Sequence, residues 1–291
     1  IERHFKLSLS SKNIYEKFLM EIIKSQANLI SKWMSAGFIH GVMNTDNTCL
    51  SGETIDYGPC AFLDNFDYNK VFSSIDYQGR YSYKNQPNII LWNLTRFAET
   101  ILPLIDNNLN KSIKKAEEIL NEFASIYESN WISIMGYKLG IDEANKTDKN
   151  LIEEFLTLMQ NQQLDFTNSF YSLSFLIEED QIEKEGPPKS HRIYSKIKSS
   201  DWYAKWTKRL NINKKNLKKI LKTLLINNPS IIPRNHIVEK VLNDAIYENK
   251  KDSLNDFLNA LNDPYKLRTF DDPYTKPPSP NEEVTQTFCG T

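Results

Sequence analysis

Apolar residues recur at helical spacing along most of this chain. The first such segment spans residues 13–36, with apolar positions at Phe18, Ile22, Leu29, Ile30 and Trp33. This spacing predicts an amphipathic helix that ends at Gly37, because glycine readily adopts the left-handed conformation of a helix C-terminus. The same criterion predicts helices at 89–102 (ending before Pro103), 111–135, 150–160, 164–177, 201–210, 214–226, 236–248 and 252–261. The pattern therefore predicts a mainly α-helical protein.

One segment near the front of the chain breaks this helical pattern. The short apolar pieces Thr48–Leu50 and Thr54–Asp56 flank Ser51-Gly52-Glu53, an arrangement that predicts a β-hairpin. Residues 64–86 are rich in Asp, Asn, Tyr and Ser and are expected to form loops. The fold class predicted from these patterns is mainly α with one small β element.

Proline marks the exposed and irregular parts of the chain. Gly186-Pro187-Pro188 predicts an exposed connection between helices. Residues 263–291 contain five prolines and should form an irregular C-terminal tail. The expected organisation is a folded body at 1–262, with its informative segment at 38–87, followed by this Pro-rich tail.

Charge and composition disfavour several classes of protein. The 291 residues include 36 basic and 37 acidic side chains, so the formal net charge is −1. Nucleic acids and anionic membranes are bound chiefly through an excess of basic residues, which this chain lacks. No apolar run approaches the about 20 residues that a transmembrane helix requires. The three cysteines, Cys49, Cys60 and Cys289, are too few for a disulfide scaffold and favour a reducing compartment.

The polar residues Asp46, Asn47 and Asp56 carry the most chemical information. The predicted hairpin would return Asp56 towards Asp46 and Asn47. Two carboxylates and an amide oxygen form a set of hard oxygen ligands suited to Mg²⁺ or Mn²⁺, which would complete its coordination with nucleotide phosphates. Asp and Asn are also common in turns, where their side chains bind backbone amides, and the spacing leaves that interpretation open.

The same segment follows the order of a protein-kinase active site. If His40 corresponds to the histidine of the kinase His-Arg-Asp motif, Asn47 falls on the catalytic-loop asparagine and Asp56 begins the Asp-Phe-Gly turn. The usual base position then falls on Val42, which cannot accept a proton. Asp46 is the only acid nearby. His40 itself is interpreted as a buried residue that braces the loop, rather than as a catalyst.

Ordered motifs along the whole chain resemble one family. They are HGVMNTDN at 40–47, TIDYGP at 54–59, CAFLDNFD at 60–67, QGRYSYKNQP at 78–87, LTRFAETILPL at 94–104, NPSIIPRNHIVEKVL at 228–242 and the terminal TFCGT. Together they resemble the SelO family, whose members are pseudokinase-like enzymes that transfer AMP from ATP to protein hydroxyl groups.

The resemblance implies a protein-kinase-like C-lobe with additional C-terminal helices, and a role for each polar residue. Asp46 would be the catalytic base, while Asn47 and Asp56 would hold Mg²⁺ or Mn²⁺ and, through it, ATP. A Ser, Thr or Tyr hydroxyl of a protein substrate would take AMP, and pyrophosphate would leave. The implied partners are ATP and proteins, without nucleic acid or membrane. The implied compartment is the cytoplasm in a bacterium or the mitochondrion in a eukaryote.

Members of this family also have an N-terminal lobe with a Gly-rich loop, an ATP-binding lysine and its glutamate partner. We find none of these in a sequence that starts at Ile1. We therefore expect the chain to be the C-terminal part of such an enzyme, which alone would bind ATP weakly and transfer AMP slowly. The alternative hypothesis is an inactive, split or truncated pseudokinase that serves only as a binding or scaffold domain.

Two further features allow both a functional and a structural interpretation. Basic residues at 205–222, close to Trp202 and Trp206, could follow a nucleic-acid backbone. Tryptophans one helical turn apart are more typical of a core whose lysines face solvent, which is the favoured interpretation. Cys289 stands where many eukaryotic members of the family carry selenocysteine. It could form a redox pair with Cys60, although a free thiol is the favoured hypothesis.

Overall fold

A computed structural model describes residues 1–5, 7, 12–182 and 192–288. The helices of the described residues are α1 (Glu2–Phe5), α2 (Ile14–Ala36), α3 (Gln86–Ile105), α4 (Leu109–Lys138), α5 (Lys149–Gln162), α6 (Phe166–Ile182), α7 (Arg192–Lys198), α8 (Asp201–Leu210), α9 (Leu217–Asn227), α10 (Asn235–Tyr247) and α11 (Asp252–Leu261). The strands are β1 (Phe38–Ile39) and β2 (Ala61–Phe62). This composition confirms the predicted class, mainly α with a small β element. The kinase-like architecture stays a prediction.

The chain divides into two compact units. Unit 1 contains Ile1–Cys60, Val71–Trp131 and Thr287–Thr291, and unit 2 contains Ala61–Lys70 and Ile132–Gln286. The residues for which the sequence predicts chemistry, Asp46, Asn47 and Asp56, all belong to unit 1. The site can therefore be built from unit 1 alone.

Helices α2 and α3 contact each other in the core of unit 1. Of the apolar positions that predict α2, Ile22, Ile30 and Trp33 are buried, whereas Phe18 and Leu29 are half-buried. Phe18 of α2 and Phe97 of α3 make an edge-to-face contact with ring centroids 6.0 Å apart. Helix α2 ends where the sequence indicates, since Gly37 has a φ of 70° and its N–H bonds to the carbonyl of Met34.

Helix α3 carries prolines at both of its ends. Pro87 lies in the first turn, where its missing N–H removes no helical hydrogen bond. The helix continues through Pro103 to Ile105, so the expected end before Pro103 is wrong. Because Pro103 lies in the last turn, it leaves only the backbone carbonyl of Glu99 without a helical hydrogen bond. Glu99 is exposed, so water can donate a hydrogen bond to this carbonyl.

Unit 2 is built around an aromatic core. Trp202 and Trp206 are buried and stack with ring centroids 5.3 Å apart, and Phe155 stacks on Trp202 at 4.1 Å. The indole Nε1–H of Trp206 donates to the carbonyl of Leu139 at 2.8 Å. The lysines of this region, such as Lys205, are exposed. This confirms the structural interpretation of the tryptophans and the basic residues.

Beyond α11 the described chain contains no further helix, as the prolines predict. This tail nevertheless packs, because Phe270 and Thr275 are buried. The predicted domain boundary at residue 262 stays a prediction, and Gly186-Pro187-Pro188 lies outside the described residues. Of the helices that the structure describes, none has the length and hydropathy needed to cross a bilayer.

The predicted hairpin at Thr48–Leu50 and Thr54–Asp56 is wrong. Neither piece is a strand, and both lie in a loop against α2. Side chains of α2 hold this loop: Gln26 Nε2 donates to the Cys49 backbone carbonyl at 2.6 Å, and Trp33 Nε1 donates to the Thr54 side-chain oxygen Oγ1 at 2.9 Å. The loop is therefore anchored to a neighbouring helix and is not paired as two strands.

Candidate functional site

Asp46 and Asn47 lie on one short 3-10 turn, Thr45–Asn47, in unit 1. Asp46 is exposed, so its carboxylate is open to solvent. The Asn47 amide nitrogen Nδ2 donates to the carbonyl of Val42 at 3.0 Å. This bond fixes the side-chain amide of Asn47 and leaves its oxygen Oδ1 as the atom that can bind a cation.

Asp56 lies on a second loop and adopts a left-handed backbone conformation, with a φ of 54°. Asp tolerates this conformation better than most residues. Its Oδ1 accepts a hydrogen bond from the Gly58 N–H at 3.4 Å, and the residue is exposed. The carboxylate is thus oriented by its own turn and remains open to solvent.

A glycine lets the two loops approach each other. Gly41 has a φ of 86°, and a Cβ at this position would lie 2.9 Å from the carbonyl oxygen of Pro59. Any larger residue would be strained by the positive φ and would also push against the backbone of the Asp56 turn. The close approach of the 40–48 loop to the 56–59 turn therefore depends on Gly41.

His40 joins the two loops by hydrogen bonds. Its ring is fully buried and stacks on Trp33, with centroids 5.1 Å apart. The Val42 N–H donates to Nδ1 at 3.4 Å, so the neutral ring carries its proton on Nε2 and donates it to the Ile55 carbonyl at 2.7 Å. Burial lowers the pKa of His40, against the opposing effects of the Ile55 carbonyl and Asp56, and keeps the ring neutral. This confirms His40 as a buried bracing residue.

These bonds connect the predicted metal ligands. Asn47 bonds to Val42, Val42 bonds to His40, and His40 bonds to Ile55, the residue before Asp56. The structure therefore links Asn47 and Asp56 through a short chain of hydrogen bonds, although the predicted hairpin is absent.

Polar side chains near and on α3 hold the same loop from the other side. Gln86 accepts from the His40 N–H at 3.0 Å and donates to the Phe38 carbonyl at 2.9 Å. Tyr81 donates its hydroxyl to Asn44 Oδ1 at 2.6 Å. Asn93 donates to the Met43 carbonyl at 3.1 Å and to Thr48 Oγ1 at 2.8 Å. Sequence reasoning missed these roles, because an amide on a helix gives no local signal of its distant partners.

The donor set fits a small hard cation. Magnesium is commonly bound by one or two protein oxygens together with substrate phosphates, rather than by a closed protein cage. Asn47 Oδ1 and the Asp56 carboxylate are two oxygens of this kind, on neighbouring loops, and their role as ligands stays a prediction. Within the described ranges, no cluster of three or more His, Cys, Asp or Glu side chains could hold a metal by itself.

Comparison with known proteins decides the family. The sequence model of the family described as protein adenylyltransferase SelO matches residues 1–262. The chain belongs to the SelO family. It is 45% identical to the protein nucleotidyltransferase YdiU of Clostridium perfringens over 293 residues, and 44% identical to that of Clostridium botulinum strain 657 over 291 residues. Both alignments cover 100% of this chain but only 57% of the relative.

The SelO-family chain carries two half-buried cysteines near the site, Cys49 and Cys60. The Cys49 thiol contacts Ser51 Oγ at 2.9 Å. Burial raises the pKa of Cys60 to about 11, so its thiol is protonated at neutral pH. Cys289, the predicted partner of Cys60, lies outside the described residues. The Cys60–Cys289 pair stays a prediction.

The described tail reaches the loop that follows Asp56. Thr287 Oγ1 donates to the Pro59 carbonyl at 2.6 Å, and the Thr287 N–H donates to the Phe72 carbonyl at 2.8 Å. All three residues belong to unit 1. The end of the chain therefore contributes to the support of the Asp56 turn.

A buried charge cluster lies in unit 2. Arg234 Nη1 donates to Asp64 Oδ1 at 2.6 Å and to Asp165 Oδ2 at 2.8 Å, while Nη2 donates to the Thr275 carbonyl at 3.1 Å. The side chain of Arg234 is fully buried and that of Asp64 is 13% exposed. Burial, with a further contribution from Asp165, raises the pKa of Asp64 to about 6 even though Arg234 opposes this shift. Within unit 2 this cluster connects Arg234 to the 61–70 segment, to Asp165 directly before α6 and to the tail at Thr275.

Proposed function

We propose that this chain supplies the catalytic base and the metal-binding residues of a protein adenylyltransferase. The substrate is ATP, and the acceptor is a Ser, Thr or Tyr hydroxyl of a protein. The hydroxyl oxygen forms a bond to the α-phosphorus, the bond between the α-phosphorus and its bridging oxygen breaks, and pyrophosphate leaves. The bacterial relatives make the cytoplasm, where ATP is available, the compartment that fits this proposal.

Asp46 takes the proton of the attacking hydroxyl in this proposal. It is exposed on the Thr45–Asn47 turn, whereas the residue at the kinase base position, Val42, is buried and has no group that accepts a proton. A positioned carboxylate of this kind contributes about 10²- to 10⁴-fold to a proton-transfer step.

Asn47 and Asp56 hold Mg²⁺ or Mn²⁺ in this proposal. The cation, when bound, supplies positive charge that neutralises the phosphate oxygens. Asn47 contributes Oδ1, because Nδ2 is occupied by the Val42 carbonyl. Asp56 contributes a carboxylate oxygen from the neighbouring loop, which Gly58 and the Gly41 approach keep in place.

The observation that carries the proposal is the chain of hydrogen bonds from Asn47 through Val42 and His40 to Ile55. It couples the two loops that hold the proposed ligands, and its buried histidine is kept neutral by its surroundings. Asp56 Oδ1 also accepts from the Gly58 N–H, as in an Asx turn, so the support for the metal site is the connection between the two loops and not the Asp56 side chain itself.

Transfer of label from ATP tests the reaction. The chain is incubated with Mn²⁺, an acceptor protein and ATP labelled with ³²P at either the α- or the γ-phosphate. Protein-bound label from the α-position alone supports adenylyl transfer. Label from the γ-position indicates phosphoryl transfer and contradicts the proposal. Because the chain alone is expected to transfer AMP slowly, the α-label is compared with that of Asp46→Asn after prolonged incubation; binding of Mn²⁺ and ATP with no transfer above that variant supports the alternative hypothesis of a binding or scaffold domain.

A further inference from the structure

A cleft adjoins one side of the turn that carries Asp46 and Asn47. This cleft has a volume of about 270 Å³ and is lined by Thr45 and Thr48 on one side and by Ile22, Leu94 and Phe97 on the other. Close packing normally fixes a loop through many small contacts. Where a cleft replaces that packing, the position of the turn must depend on specific hydrogen bonds.

Asn93 of α3 provides those bonds. Its Nδ2 donates to the Met43 carbonyl at 3.1 Å and to Thr48 Oγ1 at 2.8 Å. Met43 precedes the turn that carries Asp46, and Thr48 directly follows Asn47, so the two acceptors bracket both residues. Thr48 in turn holds the start of the turn, because its hydroxyl donates to the Asn44 carbonyl at 3.2 Å.

The Asn93 amide acts through its N–H groups alone. Asn93 is 3% exposed, and its Oδ1 has no hydrogen-bond partner among the described residues. Leaving a buried polar atom unpaired is unfavourable, so the favourable contribution of this amide comes from the two hydrogen bonds that Nδ2 donates to the loop.

We propose that Asn93 is a positioning residue for the base Asp46 and the metal ligand Asn47, a role that rests on the function proposed above. Asn93 acts through Met43 and Thr48 and does not itself touch the substrate. It keeps the Thr45–Asn47 turn in one position over the cleft. The specific consequence is that loss of its two N–H donors loosens this turn more than it affects the fold of unit 1.

Matched variants separate positioning from a general structural role. Asn93→Leu removes both donors together with the unpaired oxygen. Thr48→Val removes one acceptor with little change of shape. This variant tests the same hydrogen bond if Asn93→Leu folds poorly. The control is Asn228→Leu in unit 2, because Asn228 is also buried, donates Nδ2 to the Lys138 carbonyl at 2.8 Å and has an unpaired Oδ1.

Hydrogen exchange of the 291-residue chain is the first measurement. The N–H groups of Asn47 and Thr48 bond to the carbonyls of Asn44 and Thr45 within the turn. Loss of two net hydrogen bonds should speed their exchange by about tenfold or more in Asn93→Leu, with a smaller increase in Thr48→Val. Asn228→Leu should leave both rates within about twofold of wild type. Equal rates in wild type, Asn93→Leu and Thr48→Val would overturn the proposal.

The second measurement is the affinity for Mn²⁺, followed by the electron paramagnetic resonance signal of the free ion. We expect Asn93→Leu to weaken binding by about threefold to tenfold, and Asn228→Leu to leave it unchanged, because only the first displaces Asn47. An equal loss in both variants would show a general structural effect and overturn the positioning role. If wild type binds no Mn²⁺, the proposed metal site fails, and the exchange rates alone decide the role of Asn93.

Discussion

Asp64→Asn should abolish a pH dependence of stability that arises in the buried cluster of unit 2. The asparagine retains an oxygen that can accept from Arg234 Nη1, which bonds to Asp64 Oδ1 at 2.6 Å. It removes the carboxyl group whose pKa rises from 3.8 to about 6 on burial. The variant therefore changes the titration of the cluster while keeping its central hydrogen bond.

The magnitude follows from the size of the pKa shift. A pKa raised in the folded state stabilises the protein most below the unfolded pKa of 3.8, and this stabilisation is lost as the pH rises through about 6. A shift of about two units corresponds to about 3 kcal/mol. The stability of wild type relative to Asp64→Asn should therefore fall by about this amount between pH 3.5 and pH 7.5.

Urea unfolding at a series of pH values measures this difference, followed by tryptophan fluorescence, to which the buried Trp202 and Trp206 of unit 2 contribute. The free energy of unfolding is compared between wild type and Asp64→Asn at each pH. Asp271→Asn, at an exposed carboxylate of the same unit, is the control for the removal of a surface carboxylate. A difference for Asp64→Asn that does not change with pH would refute the reasoning about the cluster.

Three further predictions concern Arg234, Gly41 and Cys60. Arg234→Met leaves Asp64 and Asp165 buried without their cation and should lower the free energy of unfolding by about 3–5 kcal/mol in urea titrations at pH 7.5; a loss below about 1 kcal/mol would contradict this. Gly41→Ala combines a positive φ with a clash against Pro59 and should lower the free energy of unfolding by about 2–3 kcal/mol. Gly79→Ala, with a φ of 66° and only an ordinary contact, should lower it by about 1 kcal/mol. Equal losses in the two variants would count against the close approach of the two loops. Cys60, with a pKa of about 11, should react with iodoacetamide at pH 8 about tenfold more slowly than glutathione, followed by peptide mass spectrometry; reaction at the glutathione rate would refute the burial argument.

The helices were predictable because their signal is local. Apolar spacing located α2 and α8 closely, since each buries one face that recurs along its own sequence. Pro103 misled the prediction, because a proline in the last turn of α3 removes too little hydrogen bonding to end the helix. The hairpin failed for the opposite reason, since Gln26 and Trp33, far away in sequence, provide the bonds of that segment.

The candidate site was predictable only as far as its motif extends. Asp46, Asn47 and Asp56 lie in one short segment whose residue types indicate hard-oxygen chemistry. Asn93, in contrast, acts on Thr48 from a helix that begins 38 positions later, and an amide there has no distinguishing pattern. Arg234 and Asp64 are separated by 170 positions, so only the folded chain reveals their ion pair.

The role of Asp46 as base is the central claim, and the most direct measurement compares wild type with Asp46→Asn. AMP transfer from α-labelled ATP to an acceptor protein is measured at saturating Mn²⁺, beside the affinity for ATP. Removal of a general base predicts that transfer falls by about 10²-fold or more, while ATP affinity stays within about twofold of wild type. Undiminished transfer by Asp46→Asn would contradict the account.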